Sequence, residues 1–152
     1  MLLPAEIESQ WLIPAARSII ARELVKKYNF SQEDVAAILG ITQPAVSNYV
    51  SGNRGNNSII RKLRRDRKIM QFVYDITDSL SKSYAFTPYC MSKYIEMFNY
   101  AKSSLLICKI HHAIEDSIDD ELCSTCERFL LFLLLFKIFQ EVGRPFIKKP
   151  MD

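Results

Sequence analysis

The sequence predicts an all-α fold, and three observations carry that reading. Gly and Pro are scarce, 4 and 6 residues of 152, while Leu, Ile, Lys and Glu are common. Apolar residues recur at three-and-four spacing in one segment after another. No segment alternates apolar and polar residues over a useful length, so no strand is expected. A chain of 152 residues holds one ordinary domain or two small ones, and a boundary is expected near residues 56–68.

The elements follow in order. A short helix is expected over about Ala5 to Trp11. Pro14 suits a first helical position and opens a second helix to Tyr28, with Ala15, Ile19, Leu24 and Tyr28 on its core side. Ser31 caps a third, Gln32 to Leu39. A fourth begins near Gln43 and ends by Val50. Ser58 caps a long fifth, whose apolar side is Ile59, Leu63, Met70, Val73 and Leu80. Thr87 and Pro88 form a cap and first-turn proline that open a helical region through Ile114, with Ser103-Ser104 as a point of interruption. The last helix runs from about Leu122 to Val142, where Gly143 followed by Arg144-Pro145 ends it.

Charge is unevenly placed. Residues 1–68 carry 11 Lys/Arg against 6 Asp/Glu, and residues 69–152 carry 9 against 11. A basic front and a mildly acidic back suggest that only the front faces a polyanion. The amino terminus, with Pro4, Glu6 and Glu8, lacks the basic segment and apolar core of a secretion signal. The most apolar run, Phe129 to Phe139, is shorter than the roughly 20 residues that span a bilayer. A cytoplasmic protein without a membrane partner is expected. Its four cysteines then read as thiols or metal ligands rather than disulfides.

The most specific signal lies between Ser31 and Gly52. Val35, Ala36 and Leu39 give the third helix an inner face, and Ala36 is small enough for a second helix to cross closely. Gly40 allows the left-handed corner, Ile41 plugs it, and Val46 with Val50 or Tyr49 forms the apolar side of the next helix. Small, Gly, apolar, apolar at these intervals is the pattern of a helix-turn-helix. The segment SQEDVAAILGITQPAVSNYVSG resembles the lambda-repressor-like regulators of the Cro and xenobiotic-response-element type, and LIPAARSIIARELVKKYNFS resembles the leading helix of archaeal members. The resemblance covers roughly Pro14 to Gly55. It implies that Gln32 supports Gln43 and touches phosphate while Gln43 reads bases, and that the protein binds double-stranded DNA as a homodimer.

Side-chain chemistry fits that reading. Gln43 and Asn48 can each pair with adenine, Ala45 can sit against a thymine methyl, and Ser47 lies beside them. Asn53 and Arg54 follow the helix, where Arg54 can reach a phosphate. Pro44 admits two registers. With Thr42 as cap, Pro44 is the second helical residue and Thr42 accepts from Ala45 N–H. With Gln43 as cap, Pro44 is the first. In both the missing N–H belongs to an orphan donor, so the helix is not broken. RKLRRDRK, Arg61 to Lys68, holds six cations and one anion. On a helix Arg61, Arg64 or Arg65, and Lys68 share a side, which suits either phosphate contact or a solvated face.

Cys90, Cys108, Cys123 and Cys126 form the second candidate site. Cys108 and His112 lie one above the other on a helix, and Cys123-Ser-Thr-Cys126 follows ten residues later. That set can close a tetrahedral zinc site. Cys90 lies five turns before Cys108, roughly 27 Å along a straight helix. It shares their ion only if the chain bends near Asn99 or Ser103-Ser104, or across subunits. All four thiolates around an iron–sulfur cluster is an alternative, which the resemblance to archaeal members with a cysteine-bearing carboxy-terminal half supports. So is a set of four reduced, buried thiols holding nothing.

Phe129 to Phe139 is apolar on every face and needs burial all round, in a subunit interface or at the centre of a helical core. No Ser/His/Asp set, Gly-rich phosphate loop or paired carboxylates stand out, so no enzymatic activity is expected. The expected organisation is a helix-turn-helix DNA-binding domain at 1–57 and a helical dimerisation and sensor domain at 58–152, acting as a transcriptional regulator responsive to a small effector, metal or redox signal. A helix-turn-helix adaptor, or antitoxin-like partner, that binds protein and no metal is the alternative.

Overall fold

Helices and turns account for all the regular structure among the described residues, as the apolar spacing predicts. The computed structural model describes residues 2–142, with side chains through Phe129 and at Phe132 and Leu135. The expected terminator, Gly143 with Arg144-Pro145, lies outside the described residues.

The amino-terminal helices differ from expectation. Pro14 does not open a helix. Instead α1 (Pro4–Ile7), a π-helical turn (Glu8–Leu12) and α2 (Ile13–Lys26) follow one another without a break. Proline lacks the N–H for the carbonyl four residues back, here Gln10, and its ring crowds that carbonyl. The wider turn just before it, where Ile13 N–H reaches Glu8 O, accommodates the misfit without ending the helix.

Helices α3 (Gln32–Leu39) and α4 (Gln43–Ser51) stand where predicted. The long fifth helix does not. It is two helices, α5 (Asn57–Arg65) and α6 (Arg67–Ser83), hinged at Asp66. Asn56 rather than Ser58 caps α5, its Oδ1 accepting from Ser58 N at 2.8 Å and Ile59 N at 3.2 Å. Asp66 is extended and caps α6, accepting from Lys68 N at 3.0 Å and Ile69 N at 3.1 Å. Leu63 before the hinge and Ile69 and Met70 after it are all buried, so the apolar spacing carries straight across the joint.

The helical region from Thr87 is interrupted where the two serines stand. Helix α7 (Pro88–Ser103) ends there, Leu105 takes a left-handed φ of 55°, and α8 (Leu106–Ile114) resumes. Helix α9 (Asp120–Val142) starts two residues earlier than expected.

The core is centred on α2. Ala15, Ala16, Ile19, Ile20, Ala21 and Leu24 are buried there, and the alanines let α3, α4, α5 and α6 approach closely. Helix α7 packs along α6. One buried cluster runs from Ile7 to Ile110, and Ile59, Ile60 and Leu63 of α5, which packs on both α2 and α6, belong to it. Each such side chain contributes about 1.5–3 kcal/mol on burial. On α9, by contrast, Leu122, Phe129, Phe132 and Leu135 are exposed. Among the described residues no helix is long and apolar enough to cross a membrane.

Candidate nucleic-acid interface

Local chemistry sets the corner between α3 and α4. Ser31 Oγ accepts from Asp34 N at 3.1 Å and donates to Asp34 Oδ2 at 2.7 Å, which fixes the start of α3. Gly40 ends it in a left-handed turn, φ 62°, from which its N–H returns to the carbonyls of Ala36 and Ala37. Thr42 is extended and caps α4, accepting from Ala45 N at 3.4 Å. The first of the two predicted registers is therefore the one adopted, with Gln43 and Pro44 as the first two helical residues. The apolar side of α4 is Val46 and Tyr49, both buried, while Val50 is half-buried. On α3, Ile38 takes the buried place expected of Leu39, which packs at the edge.

The opposite side of α4 faces outward. Thr42, Pro44 and Asn48 are exposed, and Gln43, Ala45 and Ser47 are half-buried beside them. Gln43 Nε2 donates to Gln32 Oε1 at 2.7 Å, so the two glutamines form one unit across the corner. Asn53 and Arg54 are exposed just past the helix. The Arg54 guanidinium lies 5.2 Å from the centre of the Tyr49 ring, and its backbone N–H bonds Asn48 O at 3.0 Å.

Two supporting residues escaped the sequence reading. Arg22 Nε donates to Tyr49 O at 2.8 Å, and Ser18 Oγ donates to the same oxygen at 3.3 Å. They satisfy an orphan carbonyl in the last turn of α4 and pin that helix to α2. The only sequence hint was a polar residue on each side of an otherwise apolar helix stripe.

On α5, Arg61 and Arg64 are both exposed. Arg64 also stands 3.7 Å from Glu23, which ties part of its charge to α2. Lys68 is on the far side of the hinge, over the Phe72 ring at 5.1 Å. The hinge thus divides the basic run into two helices, and its cations do not share one straight helix face.

Residues 22–59 match the family model described as Helix-turn-helix. These residues are a helix-turn-helix domain of the lambda-repressor-like type. The matched span begins at Arg22, covers α3 and α4, and ends at Ile59 in the first turn of α5. No curated protein and no solved structure matches the chain. The helix-turn-helix belongs to a family of DNA-binding regulators.

The cysteines fall into two places. Cys108, Cys123 and Cys126 line one cavity of about 220 Å³ between α1, α8 and α9, together with His111, Thr125 and apolar groups such as Leu2, Leu122 and Phe129. Cys123 Sγ lies 3.4 Å from His112 Nε2. Burial pushes the Cys108 thiol up to about 11, and burial also raises Cys123 and Cys126. Cys90 is elsewhere, buried at the start of α7, where its sulfur lies 3.3 Å from both Ser79 Oγ and Thr87 Oγ1. The four thiols are therefore not gathered in this arrangement as a cluster would need. Among the described residues no three His, Cys, Asp or Glu side chains are already assembled around a metal position. His111, the neighbour of His112, pairs with Glu115 at 2.8 Å.

Proposed function

We propose that the protein is a sequence-specific, DNA-binding transcriptional regulator that acts as a dimer. Residues 1–57 would read DNA and residues 58–152 would dimerise and carry a regulatory input. The observation that carries the reading is the coupled Gln32–Gln43 pair at the exposed start of α4. It holds a bidentate amide where a recognition helix enters the major groove. Ala45, Ser47 and Asn48 extend the reading edge. Asn53, Arg54, Arg61 and Arg64 flank it with groups suited to phosphate.

Dimerisation is supported by α9, which presents Leu122, Phe129 and Leu135 to solvent in the single chain. A second copy packed on this face would remove that apolar area from water and set two recognition helices on half-sites about 34 Å apart.

Gel shift against genomic fragments, followed by genome-wide mapping of bound sites, tests the reading. Salt-sensitive binding that survives non-specific competitor at a defined, two-fold related sequence supports it. Absence of such binding at every fragment returns the helix-turn-helix to a protein-docking role. Sedimentation of the free protein tests the dimer.

A further inference from the structure

We propose that Cys108, His112, Cys123 and Cys126 bind one Zn²⁺ ion that clamps α9 to α8. Zinc bonds to sulfur and imidazole nitrogen are about 2.3 Å and 2.0–2.1 Å, so two such ligands on a tetrahedral ion lie about 3.5 Å apart. Cys123 Sγ and His112 Nε2 are 3.4 Å apart. They come from different helices, and the chain between them turns back through residues 115–119.

The other two ligands stand one helical turn away on the same two helices. Cys108 precedes His112 by four residues on α8, and Cys126 follows Cys123 by three on α9. Cys108 and Cys126 line the same cavity as Cys123. Two ligands from α8 and two from α9 make a closed four-ligand set of the structural kind. The three thiols give up three protons on ligation and His112 binds neutral, so the ion with its ligands carries a single negative charge. His112 is exposed and Cys123 half-buried, which leaves the ion a way in. Cys90, held by Ser79 and Thr87, takes no part.

The clamp has a purpose in this fold. Helix α9 carries exposed apolar side chains and is joined to the body by packing on α7 and around the cysteine cavity. Binding that forms only in the folded arrangement adds its free energy to that docking.

The test uses the full chain. Its zinc content is measured as purified, Zn²⁺ is titrated against a chromophoric chelator, and Co²⁺ replaces zinc for absorption spectroscopy. The expected result is one ion per chain and a cobalt spectrum with thiolate charge transfer and tetrahedral bands. Cys123→Ser and His112→Ala should each weaken binding at least about tenfold, while Cys90→Ser binds as the parent does. Wild-type protein that takes up no Zn²⁺ overturns the proposal, and leaves only a thiol–imidazole hydrogen bond. So does affinity indifferent to both ligand variants, or a coloured preparation containing iron and sulfide that is lost in Cys90→Ser. If a ligand variant does not fold by circular dichroism, the wild-type cobalt spectrum decides: tetrahedral thiolate bands uphold the site and their absence removes it.

Discussion

Gln43 Nε2 donates to Gln32 Oε1 at 2.7 Å, so the amide at the front of α4 is oriented by the first residue of α3. The bond consumes one donor of Gln43 and fixes which way its remaining donor and carbonyl point. Gln43→Ala should therefore cost about 1–3 kcal/mol at the preferred site and flatten preference at one base position. Gln32→Ala should cost less, about 0.5–1.5 kcal/mol for the lost hydrogen bond, and keep the preferred base. Binding selection on randomised duplexes, with gel shifts for affinity, separates the two. A changed base preference in Gln32→Ala means that Gln32 reads DNA itself.

The arginines should divide by salt dependence. Arg54 is exposed with its guanidinium against the Tyr49 ring, and Arg61 is exposed with no ion pair among the described residues. Alanine at either position should weaken binding to all sequences alike and reduce the log–log salt slope by about one. Arg64 is partly engaged by Glu23 at 3.7 Å, so Arg64→Ala should change the slope by less. Affinities measured across a salt series check this. An Arg64 effect equal to that of Arg54 indicates that Glu23 releases it on DNA.

The hinge at Asp66 should be worth more than one cap. Its carboxylate accepts from Lys68 N and Ile69 N, and Tyr100 OH donates to both of its oxygens at 3.3 Å. Asp66→Ala should destabilise the protein by about 1–3 kcal/mol, a cap plus the tie to α7. Tyr100→Phe should lose only the tie, about 0.5–1.5 kcal/mol. Urea midpoints give both values. Equal losses would mean that the cap contributes nothing at this joint.

That joint also marks where sequence reasoning ran short. Apolar periodicity found the helices because burial of one face repeats in the residues themselves, and the small-Gly-apolar pattern located the corner from Ser31 to Gly52 because each position there has a local steric or capping reason. Asp66 was hidden because Leu63, Ile69 and Met70 keep their spacing across it, and a lone Asp among six cations reads as a charge pattern rather than a cap. Pro14 misled for a related reason: its preference for a first helical turn is local, but packing of Leu12, Ala15 and Ala16 in the core keeps the helix going and the turn widens instead. Arg22 and Ser18 were illegible because their partner, Tyr49 O, is 27 and 31 residues away and only the fold brings it there. The same holds for Cys90, whose separation from the other cysteines depends on how α7 meets α6.

The acid limb of stability should carry the mark of Glu115. Its Oε2 pairs with His111 Nε2 at 2.8 Å and accepts from Leu2 N at 3.2 Å, which binds the amino terminus to the end of α8. The bond to His111, then that from Leu2, holds the carboxyl well below its ordinary 4.5, at about 2. A carboxyl whose folded value is depressed stabilises the fold fully above its unfolded value. It loses that contribution as pH falls through the window between the two. Glu115→Gln should accordingly melt below the parent at neutral pH, and the gap should close as pH falls from 4.5 toward about 2. Melting curves of both proteins across that range make the comparison. A gap that stays constant with pH would show that the side chain acts by shape and hydrogen bonding, and that its charge contributes nothing to holding the amino terminus against α8.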